Sequence, residues 1–153
     1  MGPGYSIRKY SSEDIVAVET MYAGFRPLGA ALGLPPPGEE RTDRWLRYLD
    51  HSGSSLIAQE DSSGNVVGHA VLADGAPGEA ELAVFVHQDF RARGIGSALA
   101  RSAIEDARRL GYRRLWAATS PSNAAAIRMV KGQGFRIVSL PSATDTELEL
   151  ILG

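Results

Sequence analysis

The sequence predicts an α/β fold: a mixed, mostly antiparallel sheet of roughly six to seven strands flanked by about four helices, with one parallel pair among the strands. Three observations predict it. The run "AELAVFV" at 80–86 is apolar apart from Glu81, the pattern of a central strand covered on both faces. Ile95, Leu99, Ala103 and Ala107 then recur at every fourth position, with Leu110 closing the stripe and Gly111 placed as a stop. "RRLWAATS" follows as another strand, and strand, helix, strand in that order implies a right-handed crossover between parallel neighbours.

The remaining elements follow from punctuation and period. Tyr5 to Lys9 reads as a first strand, and Ser11 with Asp14 forms a capping-box pattern ahead of Ile15, Val18, Met21 and Tyr22 at helical spacing. Glycines and the run Pro35, Pro36, Pro37 then break the chain before a second helix carrying Trp45, Leu46 and Leu49. "LIAQE" and "VVGHAVL" are strand-like and joined by "DSSGN", which makes them an antiparallel pair. Ser120 with Pro121 reads as the cap and first turn of a short helix through Ala126, Ile127 and Val130, stopped by Gly132 and Gly134. "FRIVSL" and "TELELIL" are the last strands. The expectation is a single domain over residues 1–153, without repeats or a low-complexity tail.

Composition removes several classes of function. A formal net charge of −2 gives no field for collecting nucleic acid. With no cysteine there is neither a disulfide framework nor thiolate chemistry, and His51, His69 and His87 lack ligand spacing, so no metal is expected. No apolar stretch approaches the roughly 20 residues that cross a bilayer, and no signal-peptide pattern is present, so the expectation is a cytoplasmic protein without a membrane partner.

The stretch "HQDFRARGIGSALA" at 87–100 carries the clearest signal of binding. A dinucleotide-binding fingerprint fails here on three details. Its third small position is Leu99, seven residues separate the strand from Gly94, and the next strand supplies no acid for a ribose. No lysine follows the glycines, which argues against a nucleotide-binding P-loop. Arg91-Ala92-Arg93-Gly94-Ile95-Gly96 is instead an R-x-x-G-x-G loop opening a helix, where amide N–H groups point one way and the glycines let an anion approach the backbone. A pyrophosphate fits that array. Arg91 and Arg93 are either phosphate contacts or solvated loop charges.

The loop resembles the R/Q-x-x-G-x-G/A motif of the GNAT superfamily of acyl-CoA N-acyltransferases. The central strand before it, and the helix, strand and asparagine-opened helix running into Gly-Phe after it, extend the resemblance over residues 79–138. The resemblance implies a GNAT-type sheet with a splayed parallel pair at the coenzyme site. It places Arg93, Gly94, Ile95, Gly96 and Ser97 around a coenzyme A pyrophosphate, and the pantetheine arm along Val84, Phe85 and Val86, where a bulge parts the strands. Asn123 matches an asparagine that contacts the coenzyme arm, although an Asx residue in a first helical turn explains it equally.

Acyl transfer to an amine needs a base, because an ammonium of pKa ~10.4 is no nucleophile at neutral pH, and a donor for the oxyanion. An unpaired backbone N–H at the bulge, which the resemblance places near Val84, would supply the donor. Glu81, the only ionisable group in its strand, would supply the base, since a charge among apolar residues must be paired or placed at a cavity. "AELAVFV" is also similar to the A-E-x-A-x-x-V strand of the branch that acetylates protein lysines, where the glutamate is the base. Val130 stands where many relatives place a tyrosine acid, leaving that role to Ser120, Ser122 or water. The implied activity is acetyl transfer from acetyl-CoA to a small-molecule amine or a protein lysine, without metal. The alternative is a coenzyme A-binding sensor with little catalysis. A homodimer through the sheet edge is compatible with either.

Overall fold

The computed structural model describes residues 4–24 and 54–153. The proline run, the helix expected around Trp45, the acidic residues Glu39, Glu40 and Asp43, and His51 lie outside the described residues. Strand β1 (Tyr5–Lys9) leads through a 3-10 turn (Ser12–Asp14) into α1 (Ile15–Ala23). The chain continues with β2 (Ser54–Glu60), β3 (Val66–Asp74), β4 (Glu79–Val86), a 3-10 turn (Gln88–Phe90) and α2 (Ile95–Leu110). It closes with β5 (Arg114–Thr119), α3 (Ala124–Gly132), β6 (Arg136–Ile137) and β7 (Thr146–Ile151). The strands form one sheet in the order β1-β2-β3-β4-β5-β7-β6, which puts β4 in the middle. Every neighbouring pair is antiparallel except β4 and β5.

Alternation along the strands gives each face its own core. Leu72, Leu82, Val84, Leu115 and Leu148 meet the α2 stripe of Ile95, Leu99, Ala103 and Ala107. Ile57, Val66 and Phe85 meet Val18, Met21 and Tyr22 of α1 on the other face. Helix α2 packs close because β3 offers Gly68, where a Cβ would lie 2.8 Å from Leu99 Cδ1 and 3.3 Å from the Phe85 carbonyl oxygen. At the start of α1 the Ser11 amide donates to the Asp14 carboxylate at 2.9 Å, and Arg8 donates to both oxygens of that carboxylate. Those donors hold Asp14 below the usual carboxylate range.

Three local expectations change. Helix α3 is capped by Asn123, whose Oδ1 accepts from the Ala126 amide at 3.2 Å. Ser120 and Ser122 instead bond each other at 2.9 Å in the turn before it, so Ser120 and Pro121 do not begin the helix. "FRIVSL" shrinks to the two residues of β6, because the chain leaves the ladder after the Val138 amide donates to the Glu147 carbonyl at 2.9 Å. The third is the covering of β4: on the α1 face Phe85 is buried, but Glu81 and Ala83 are only half-buried, so that face is covered at one end of the strand and not along its length.

His69 sits fully buried in the α1-side core, its Nδ1 2.7 Å from the Tyr22 hydroxyl, its Nε2 3.2 Å from the Ser55 hydroxyl and its ring stacked on Phe85. Burial pushes its pKa down to about 3. Between the ordinary value near 6.5 and about 3 the unfolded chain binds a proton that the folded chain does not. Stability present at neutral pH is therefore lost as the pH falls through that window, by up to about 1.4 kcal/mol per pH unit from this residue. Urea unfolding measured between pH 7 and pH 4 will show this acid loss, and His69→Gln will flatten it; an unchanged slope in the variant would refute the assignment.

Candidate functional site

The site begins where β4 and β5 stop pairing. They are joined only through Glu79 with Arg114, Ala80 with Leu115 and Glu81 with Trp116, although β4 continues to Val86 and β5 to Thr119. Against β3 the register of β4 is unbroken from Asp74 with Ala80 to Gly68 with Val86. The bulge expected in β4 is therefore absent. The register of β5 with β7 is likewise unbroken from Arg114 to Thr119, so the two strands part by diverging from each other.

Hydrogen bonds at both ends of β4 show where its peptide groups point. The Gly75 amide donates to the Glu79 carbonyl at 3.0 Å, and the His87 amide donates to the Val67 carbonyl at 2.9 Å. Odd-numbered residues thus turn their backbone groups towards β3, and the alternation turns those of Val84 and Val86 towards the β5 side, beyond the last pair. The Val84 N–H faces the gap. The Val86 carbonyl on that same side accepts from Arg91 Nε at 2.9 Å.

A cavity of about 250 Å³ occupies the gap. Val84, Val86, Arg91, Gly94, Ile95, Gly96 and Ser97 all line it, joined by Phe90, Ala92, Ala125, Ala126 and Met129. The first intrahelical bond of α2 runs from the Ala98 amide to the Gly94 carbonyl at 3.0 Å, which leaves the amides of Ile95, Gly96 and Ser97 as donors of the first turn. The loop reaches that turn through two left-handed residues, Ala92 at φ 64° and Gly94 at φ 82°. Glycine signals the second; nothing in the sequence signals the first. The small run of Ala124, Ala125 and Ala126 was the available sign that α3 would form the opposite wall.

Four expected residues do not line this cavity. Phe85 points to the α1 face, edge-on to Tyr22 at 5.5 Å between centroids. The Arg93 guanidinium lies 5.0 Å from the Phe90 ring centroid, and Arg93 lines a separate cavity beside Glu60 and Asp61. Asn123 caps α3. Glu81 belongs to the α1 face of β4, level with Trp116 on β5 and Ala73 on β3. Its carboxyl is half-buried, and burial raises its pKa above the usual value. Among the described residues no hydrogen bond or ion pair reaches it, whereas Glu79 lies 2.7 Å from Arg114, and Glu149 lies 3.8 Å from Arg114 and 3.5 Å from Arg136. Val130 is fully buried, and its neighbour Met129 faces the cavity instead. His87 accepts the Asp89 amide at 3.2 Å and caps the turn after β4. No group of three metal-ligating side chains occurs among the described residues, and no helix there is long and apolar enough to cross a membrane.

A parted parallel pair beside an R-x-x-G-x-G helix start is the geometry that the resemblance implied, and the profile of the Acetyltransferase (GNAT) family matches residues 19–135. The chain belongs to this family. An L-methionine sulfoximine/L-methionine sulfone acetyltransferase of Pseudomonas aeruginosa is 33% identical over 98 residues, covering 61% of this chain and 57% of that protein. The matched stretch thus spans little more than half the length of that relative. Among solved structures, a GNAT phosphinothricin acetyltransferase of Sinorhizobium meliloti in complex with acetyl-CoA superposes with a TM-score of 0.82 at 17% identity, over 98% of this chain and 89% of that one. The GNAT domain of S. lividans PAT does so with a TM-score of 0.81 at 21% identity, over 95% and 89%. Both share the fold.

The two loop glycines have separable roles in this GNAT chain. At Gly94 an L side chain meets the left-handed backbone, so Gly94→Ala will cost about 1–2 kcal/mol. At Gly96 a Cβ would lie 3.6 Å from Val86 Cγ2 in ordinary contact, so Gly96→Ala will leave stability unchanged or raise it by up to about 1 kcal/mol while narrowing the cavity. Urea denaturation of both variants checks the contrast.

Proposed function

We propose that the protein transfers an acetyl group from acetyl-CoA to a primary amine by direct attack in a ternary complex. The observation that carries this reading is one cavity bounded by both the outward-turned edge of β4 at Val84 and the first-turn amides of α2. An edge of that kind pairs with an amide-bearing arm, and first-turn amides suit a pyrophosphate. Acetyl-CoA carries both, and its thioester supplies the electrophilic carbonyl carbon. The amides of Ile95, Gly96 and Ser97 bind the phosphates, and the Val84 amide donates to the carbonyl oxygen as charge develops there. Glu81 takes the proton from the amine, directly or through one water, as the C–N bond forms and the C–S bond breaks. Fully buried Val130 has no proton to give, so the departing thiolate takes one from water or from the Ser120–Ser122 pair.

The acceptor is a primary amine on a small molecule or a protein lysine. The P. aeruginosa relative, named for acetylation of an amino-acid analogue, supports the small molecule. The raised pKa of Glu81 suits a base, because burial makes it hold a proton more firmly than an ordinary carboxylate.

Glu81→Gln will lower kcat/KM at neutral pH by about 10²–10⁴-fold with acetyl-CoA affinity retained. In the parent protein kcat/KM will fall with decreasing pH through a pKa above the ordinary 4.5, because protonation removes the base, and the variant will lack that limb. A pH series of coenzyme A release over small amines, amino acids and lysine peptides tests this. Near-normal turnover in the variant overturns Glu81 as the base. Acetyl-CoA binding with no release for any acceptor overturns catalysis in favour of a sensor.

A further inference from the structure

We propose that Arg91 is a positioning residue: by capping the Val86 carbonyl it keeps β4 and β5 parted at the coenzyme cavity and registers the coenzyme arm on Val84, and it does not bind the pyrophosphate. The inference rests on the acetyl-CoA reading above.

The argument starts from the peptide groups of β4. Had β5 continued beside β4, the Val86 carbonyl would face a strand partner. Parting the strands removes that partner, and a carbonyl left unsatisfied away from water costs about 1–3 kcal/mol. Arg91 Nε meets it at 2.9 Å, a hydrogen bond strengthened by the charge of its donor. The Gln88–Phe90 turn makes this reach possible, because it reverses the chain directly after β4 and returns the side chain to the strand it has just left. The next residue, Ala92, has φ 64°, a conformation that costs an L residue about 1–2 kcal/mol and needs its surroundings to impose it. Anchoring Arg91 to β4 fixes the chain one residue before that strained position, which then leads through Gly94 into the first turn of α2.

Two further observations separate Arg91 from a phosphate ligand. Its guanidinium is partly buried against the strand end, and burial lowers its pKa from the usual arginine value. Arg93, two residues on, stacks over Phe90 and lines a different cavity, so the loop does not gather its two cations at one point. With the Val86 carbonyl engaged, the Val86 N–H and the backbone groups of Val84 are those left on the parted edge beside the cavity. The arm of the coenzyme pairs there, which is also where the thioester needs a donor.

Calorimetry with two probes, acetyl-CoA and 3′-phospho-ADP, separates positioning from phosphate contact. Arg91→Met removes the donor and will weaken acetyl-CoA by about tenfold while leaving 3′-phospho-ADP within about twofold. Arg91→Gln keeps an N–H donor without the charge and will restore acetyl-CoA binding to within about twofold of the parent. If both variants weaken 3′-phospho-ADP and Arg91→Lys preserves it, Arg91 is a phosphate contact and the proposal is overturned. Should Arg91→Met not fold, Gln against Lys still decides, since positioning predicts that Gln retains both ligands and phosphate contact predicts that it loses both. A parent protein that binds 3′-phospho-ADP but not acetyl-CoA overturns the acetyl-CoA reading itself, an outcome distinct from either behaviour of the variants.

Discussion

The site depends on the parting of two parallel strands in the middle of a sheet. Interior backbone donors and acceptors must find partners, and a sheet satisfies that demand by pairing every strand with its neighbours. Here β4 loses one neighbour after Glu81 and keeps the other without interruption. Half of its peptide groups therefore turn into a gap. The protein satisfies one of them with Arg91 and leaves the amide of Val84 facing the cavity.

Strand alternation then divides the work of the site. The side chains of Leu82 and Val84 join the core under α2. Glu81, Ala83 and Phe85 face α1. The backbone of Val84 lies in the plane between them. One strand thus presents an apolar wall to the α2 side, a peptide donor in its own plane and a carboxylate on the far side. Close packing of α2 through Gly68 keeps the first turn of that helix against the strand, so its amides and the Val84 amide belong to one rigid unit.

Much of this was legible in the sequence because it rests on period. The fourfold stripe from Ile95 to Ala107 and the apolar run at 80–86 fixed the helix, the central strand and the parallel crossover, and the R-x-x-G-x-G loop fixed which end of the helix mattered. What escaped rests on tertiary contact. Whether strands part through a bulge or by divergence depends on what the neighbouring strand does, which no pattern within β4 records. Asn123 displaced Ser120 as the cap because the serines bonded each other, a choice between two suitable residues that spacing does not make. Arg91 reads as a loop cation until its side chain is seen to turn back on Val86, and the left-handed Ala92 carries no compositional signal.

The proposal of Glu81 as the base rests on the neighbours of three carboxylates. Glu79, Glu81 and Glu149 share one face of the sheet, with Trp116 level with both Glu81 and Glu149. Arg114 lies within ion-pair distance of Glu79 and Glu149, and Arg136 adds a second guanidinium to Glu149. At Glu81 burial favours the neutral form, and no described residue supplies a compensating cation. The arginines thus pair with the outer two carboxylates and leave Glu81, beside the end of β4–β5 pairing, without a cation among the described residues, which is the observation that supports it as the proposed base.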